Sequence, residues 1–143
     1  MKKIKLCIDE KSFKKYKEAI TGIIYLEIND YYFPQKNWND FIIVMINNWI
    51  KSLKDIKYGI IQETELLFFD GPFFIKIKMI DKEDCIIGFF ESHKSENVLF
   101  TEEIKFNNLV NEVFHIANLC KALCKNNNWE TEELNKLDVL LKE

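Results

Sequence analysis

From Lys3 to Ile8 charged and apolar residues alternate, the period-two pattern of a strand with one buried face. Gly22 to Ile28 repeats it, with Ile23, Tyr25 and Glu27 on one side and Ile24, Leu26 and Ile28 on the other. Asn29-Asp30 is a two-residue turn signal, so Tyr31 to Phe33 is predicted to pair back as a short hairpin. Between these strands, Asp9 to Glu18 is heavily charged. Phe13, Tyr16 and Ile20 fit a short helix there, and a loop fits equally well.

At Pro34 the period changes. Proline has no N–H to give to a ladder, so it ends the strand. Asn37 then reads as an N-cap, and Asp40, three residues on, stands where a capping-box acid and a dipole-facing charge would stand. The predicted helix runs from Trp38 to Leu53. Its stripe is Trp38, Phe41, Ile42, Met45, Trp49, Leu53 and Ile56, widened by Ile43, Ile46 and Ile50, so it is buried on more than one side. Asp40, Asn47, Asn48, Lys51, Lys54 and Asp55 form the polar arc. Val44 falls inside that arc, either as a lone exposed valine or as part of a contact surface.

Lys57 to Glu63 is a connection containing Gly59. Strands are predicted at Thr64 to Phe69, Phe73 to Ile80, Cys85 to Glu91 and Val98 to Ile104, with turns at Asp70-Gly71-Pro72 and Asp81 to Asp84. In the second of these, Phe73, Ile75, Ile77 and Met79 share a face, and Lys76 and Lys78 face the other way. Helices follow at Asn108 to Lys125 and at Thr131 to Lys142, broken by Asn126-Asn127-Asn128. Sequential strands with short turns imply an antiparallel meander, and segregated helices make the class α+β. The expectation is one domain over residues 1–143, with a sheet of five or six strands and helices packed on one face.

Composition narrows the function classes. Hydrophobic residues make up 48% of the 143 and aromatics 14%, including 12 Phe, which suits a real core and argues against disorder. All 20 basic residues are Lys, so no guanidinium fork exists for phosphate or guanine. With a net charge of -3, general nucleic-acid binding is not expected. No window approaches a membrane span, and the apolar run near the N-terminus is too short for a signal peptide, so a cytoplasmic location is expected. The 4 Cys have no framework spacing, as suits reduced thiols in that compartment.

The candidate chemistry is thin. His93 lies in a charged turn, and His115 lies on the polar arc of its helix beside Asn111 and Asn118; neither neighbours a nucleophile. Cys120 and Cys124 are one helical turn apart but sit in an apolar stripe, and no second Cys or His pair has zinc-site spacing. Cys7 and Cys85 likewise read as small buried hydrophobes in strands. The acidic turn from Asp81 to Asp84 and the run Glu91, Glu96, Glu102, Glu103 lack calcium-loop spacing and its glycine. They are solvated turns or an acidic patch that docks a basic partner. Asp70-Gly71-Pro72 among Phe68, Phe69, Phe73 and Phe74 is a core turn or a binding tip. With 4 Gly there is no phosphate-cradling loop. No enzymatic activity, cofactor or metal is expected.

The stretch Tyr25-Leu-Glu-Ile-Asn-Asp-Tyr-Tyr-Phe-Pro-Gln-Lys-Asn-Trp-Asn-Asp-Phe41, a helix with Trp49, and Phe68-Phe-Asp-Gly-Pro-Phe-Phe74 resemble a group of small bacterial proteins. That group comprises uncharacterised families and immunity proteins of polymorphic toxin systems. The resemblance covers roughly Leu26 to Ile77, and its motif residues read as a strand end, a cap, a core Trp and a turn. It implies a cytosolic inhibitor that binds and occludes a cognate toxin domain, and it supplies no binding residues. Charge supplies the candidates: Asp81, Glu83, Asp84, Glu91, Glu102 and Glu103 would meet a basic toxin site. The alternative is a non-enzymatic interaction module or homo-oligomeric scaffold, a homodimer included, joined through an aromatic-rich strand edge.

Overall fold

The structure, a computed structural model, describes residues 2–94 and 97–143. Among them are eight strands and three helices, in two antiparallel sheets of four strands each. The α+β expectation holds. The strands number more than five or six and divide between two sheets because the Pro34 loop and the first helix separate the two meanders.

The first sheet holds β1 (Lys5–Tyr16), β2 (Ala19–Ile28), β3 (Tyr31–Phe33) and β4 (Asn39–Asp40), with both β3 and β4 paired to β2. Asn29 and Asp30 make the expected turn, with φ of 49° and 62°. Asn and Asp tolerate this left-handed region better than most residues. The charged stretch from Asp9 to Glu18, read as a short helix or a loop, is mostly strand instead. A bulge between Asp9 and Lys14 lets β1 run on to Tyr16. Ser12 Oγ fills the gap in the ladder by accepting from Ile23 N at 2.8 Å. Phe13 then turns inward onto Gly22, where a Cβ would stand 2.7 Å from its ring.

The second sheet follows chain order: β5 (Glu63–Leu67), β6 (Phe74–Met79), β7 (Asp84–Phe90) and β8 (Phe100–Lys105). Its inner face carries Leu66, Ile75, Ile77, Cys85, Ile87, Phe89 and Ile104, all buried. Three helices complete the fold: α1 (Ile42–Lys57), α2 (Phe106–Asn126) and α3 (Glu132–Lys142). The core draws on both sheets and all three helices. Thr131 caps α3, its Oγ1 accepting from Leu134 N at 3.1 Å.

The start of α1 differs from the sequence reading. The helix begins at Ile42, Phe41 is the N-cap residue, and no side chain caps it. Trp38, Asn39 and Asp40 precede the helix because Asn39 and Asp40 pair with Ile23 and Gly22 as β4. Asn37 takes φ 65° in the loop rather than capping. Asp40 is fully buried and serves a different set of donors. Its Oδ2 accepts from Trp38 Nε1 at 2.9 Å, and its Oδ1 accepts from Phe41 N at 2.6 Å and Phe69 N at 3.1 Å. Burial raises the Asp40 carboxyl above its ordinary value of 3.8, and these donors work against that rise.

This carboxylate ties the first sheet to the turn after β5. Trp38 packs on Phe73 at 5.3 Å and on Gly71, where a Cβ would lie 3.1 Å from its Cη2. Phe33 makes edge contacts with Phe68, Phe73 and Phe89 at 5.6, 5.7 and 4.9 Å. Trp49 of α1 packs on Phe68 and donates from Nε1 to Leu67 O at 2.8 Å. The Phe-Pro-x-x-x-Trp-x-Asp-Phe and Asp-Gly-Pro motifs are thus the two halves of one junction.

The polar arc of α1 also differs. Asn47 is buried because α3 covers it, and its Nδ2 donates to Glu133 O at 2.8 Å and Glu133 Oε2 at 2.9 Å. Val44 is half-buried and lines an apolar notch of about 260 Å³ between α1, β2 and α3.

Candidate functional site

Each sheet buries one face in the core, and among the described residues no helix packs on the other. The exposed face of the second sheet is the more distinctive. Cross-strand pairing builds it in rows: Glu65, Lys76, Gly88 and Thr101 form one, and Glu63, Lys78, Ile86 and Glu103 form the next. Ile86 is 42% exposed and Val98 beside it 41% exposed. The face therefore has a lysine midline on β6, an apolar strip along β7, Glu63 and Glu65 on the β5 margin, and Glu103 and Lys105 on the β8 margin.

One end of the face is held by stacked rings. Phe74 lies on Phe90 at 4.9 Å with 4° between the planes, and His93 lies on Phe74 at 3.9 Å with 7° between them. The imidazole Nε2 is 2.8 Å from Glu65 Oε1. His93 is thus engaged in a surface stack, and His115 is exposed on α2 with Asn111 and Asn118.

The six acidic candidates do not gather on one surface. Asp81, Glu83 and Asp84 share the turn between β6 and β7. There Asp81 Oδ1 accepts from Glu83 N at 2.8 Å and Asp84 N at 2.7 Å, bonds that pull its carboxyl below the ordinary range. Lys105 Nζ closes the turn, 2.7 Å from Asp84 and 3.8 Å from Glu83. Glu103 lies on the exposed face opposite Ile86. Glu102, opposite Ile87, projects to the inner side and pairs with Lys2 at 3.2 Å. Glu91 is exposed just beyond the far end of β7, roughly 20 Å from Asp84 by strand rise. Glu96 lies outside the described residues.

Sequence reasoning did not single out Glu63, Glu65, Ile86 or Gly88. The available signal was the run Cys85-Ile86-Ile87, where an unbroken apolar stretch in a half-buried strand puts one isoleucine on the exposed side.

The thiols sit mainly in the core. Burial pushes Cys85 up to about 12 and Cys124 up to about 11, and it raises Cys120 further, so none of the three is a nucleophile at neutral pH. Cys7 departs from the sequence reading. It is half-buried, because it projects to the outer face of the first sheet beside Tyr25. Among the described residues no three His, Cys, Asp or Glu side chains converge as metal ligands, and no helix is long and apolar enough to cross a membrane.

The outer edge of β1 is occupied from within the chain. Asn108 Oδ1 accepts from Ile4 N at 2.8 Å and its Nδ2 donates to Ile4 O at 3.4 Å, while Glu112 Oε1 accepts from Leu6 N at 3.0 Å. Two side chains of α2 therefore stand where a further strand would bond. No family model matches the chain, and neither a curated protein nor a solved structure matches it.

Proposed function

We propose that this chain is a cytoplasmic, non-enzymatic protein of the immunity type, which binds a cognate bacterial toxin domain and neutralises it by occlusion. The observation that carries the reading is the helix-free face of the second sheet, with Ile86 and Val98 exposed between charged margins. The resemblance through the Pro34–Phe41 and Asp70–Pro72 motifs supports the same reading. Asp81, Glu83, Asp84 and Glu103 lie on or beside this face and would steer a basic partner toward it. Glu91 and Glu102 would act only through the long-range field.

The test is affinity capture of tagged protein in its native cells, with mass spectrometry of what is retained, followed by co-expression with any toxin-like polypeptide recovered. One-to-one retention and rescue of growth are expected. Recovery of this chain alone, with a mass that rises with concentration, would replace the reading with a homo-oligomeric scaffold.

A further inference from the structure

The exposed face of the second sheet has a hollow at its middle. Gly88 lies there, between Lys76 and Thr101 on the neighbouring strands. A Cβ at this position would stand 3.1 Å from Phe90 Cε1 and 3.4 Å from Val98 Cγ2, so the absence of a side chain lets these two walls close in on the strand. The space is about 270 Å³, enough for one large apolar side chain. Phe90, Val98 and Ile86 supply apolar walls. Phe90 is fixed in advance by the ladder of rings through Phe74 to His93, so little ordering remains to be done on binding.

The rim is charged. Among the described residues, Lys76 and Lys78 border the hollow with one carboxylate, Glu63. They are two residues apart on one face of β6, which spaces them by about 7 Å. Glu65 and Glu63 stand opposite them across the β5–β6 ladder. Even so, among the described residues the ion pairs within 4.0 Å involve neither lysine. Glu65 is turned instead to His93.

We propose that this hollow anchors one apolar side chain of a protein partner, seated against Ile86, Phe90 and Val98 and flanked in the partner's chain by carboxylates that pair with Lys76 and Lys78. The proposal rests on the protein-binding reading above and names what a partner that is basic overall must present locally: carboxylates at the lysine midline, with its basic groups outside them toward Glu63, Glu65 and Glu103. A second copy of this chain is a poor occupant. Face-to-face packing about a two-fold axis along the strands would set Glu63 and Glu65 of one copy toward Glu103 of the other, like charge against like. An extended acidic-apolar segment meets no such repulsion at the lysine midline.

The test uses the full chain and a phage-displayed random heptapeptide library selected on wild type alone; Thr101→Phe, which fills the hollow from an exposed position, is kept for the binding measurements. Enriched peptides are then measured by fluorescence anisotropy. The expected result is a shared apolar residue with Asp or Glu within two positions. Thr101→Phe and the double variant K76E/K78E should each weaken binding about tenfold or more. Both variants alter exposed positions, and circular dichroism confirms their folding. The proposal is overturned if no peptide is enriched, or if enriched peptides bind both variants as well as wild type. It also fails if the wild-type chain sediments as a dimer that K76E/K78E splits, since the occupant is then a second copy. The assay contains no toxin, so failure to capture a toxin leaves a positive peptide result standing. A negative peptide result, in turn, leaves toxin binding to another face.

Discussion

The junction between the sheets and the exposed face of the second sheet use the same residue types for opposite ends. At the junction, Phe33, Trp38, Trp49 and Phe68 interlock, and a buried carboxylate satisfies the indole of Trp38 and the amides of Phe41 and Phe69. On the face, Phe74, Phe90 and His93 stack in parallel beside lysines that have no ion pair among the described residues. The residues most conspicuous in this sequence are the ones committed to architecture. A tryptophan, a proline and an Asp-Gly turn stand out because a close junction needs unusual shapes. A binding face needs only alternate positions of ordinary strands, which leave little trace.

The contrast can be broken at the junction first. Asp40→Ala removes an acceptor from several buried donors at once, and a loss of ~3–5 kcal/mol is expected in urea unfolding. Asp40→Asn should cost less but still destabilise, because its amide must present a donor to Trp38 Nε1 or to the two amides. Next in size is the closed edge of β1. Asn108→Ala with Glu112→Ala leaves Ile4 and Leu6 amides without partners, for a loss of ~1–3 kcal/mol and faster amide exchange at both residues. Gly71→Ala pushes a methyl toward Trp38 and should cost ~1–2 kcal/mol, seen as a lower thermal midpoint.

The smallest effect belongs to the acidic turn. The amides of Glu83 and Asp84 hold the Asp81 carboxyl below its ordinary value of 3.8. A group depressed in the folded state stabilises above its unfolded pKa and loses that contribution as the pH falls through the folded one. The midpoint gap between wild type and Asp81→Ala should therefore be largest near neutrality and close as the pH drops below the carboxylate range. Asp40 has the opposite sign. Its raised folded value means that it favours folding more when protonated and gives up that advantage as the pH rises through the carboxylate range. A gap for Asp81→Ala that widened in acid would contradict the turn geometry.

Much of the fold was legible in the sequence. The strand alternation at Gly22 to Ile28, the Asn29-Asp30 turn, the Asp70-Gly71-Pro72 turn and the two C-terminal helices all stand within a few residues of their predicted bounds. The errors share a cause. Asp40 looks like a capping acid because the sequence shows which residues lie three positions away, and not that Phe69 will arrive from another sheet. Asn47 looks solvated because nothing local announces that α3 will cover it. The stretch from Asp9 to Glu18 looks non-strand because its hairpin extends into solvent, where charge is no obstacle to pairing. The candidate face was less legible. Alternation puts Lys76 and Lys78 on the outward side of their strand, but the hollow also depends on Val98, which the pairing of Leu99 N with Phe89 O brings against Gly88 and Phe90 of β7.

The most direct measurement is a capture experiment run in parallel on wild type, Ile86→Glu on the second sheet's exposed face, and Ile23→Glu on the first sheet's. If the helix-free face of the second sheet is the binding face, wild type and Ile23→Glu retain the same toxin-like polypeptide at one-to-one stoichiometry, and Ile86→Glu loses it. Equal retention by Ile86→Glu, or loss confined to Ile23→Glu, would contradict the account and move the site to the first sheet or the helices.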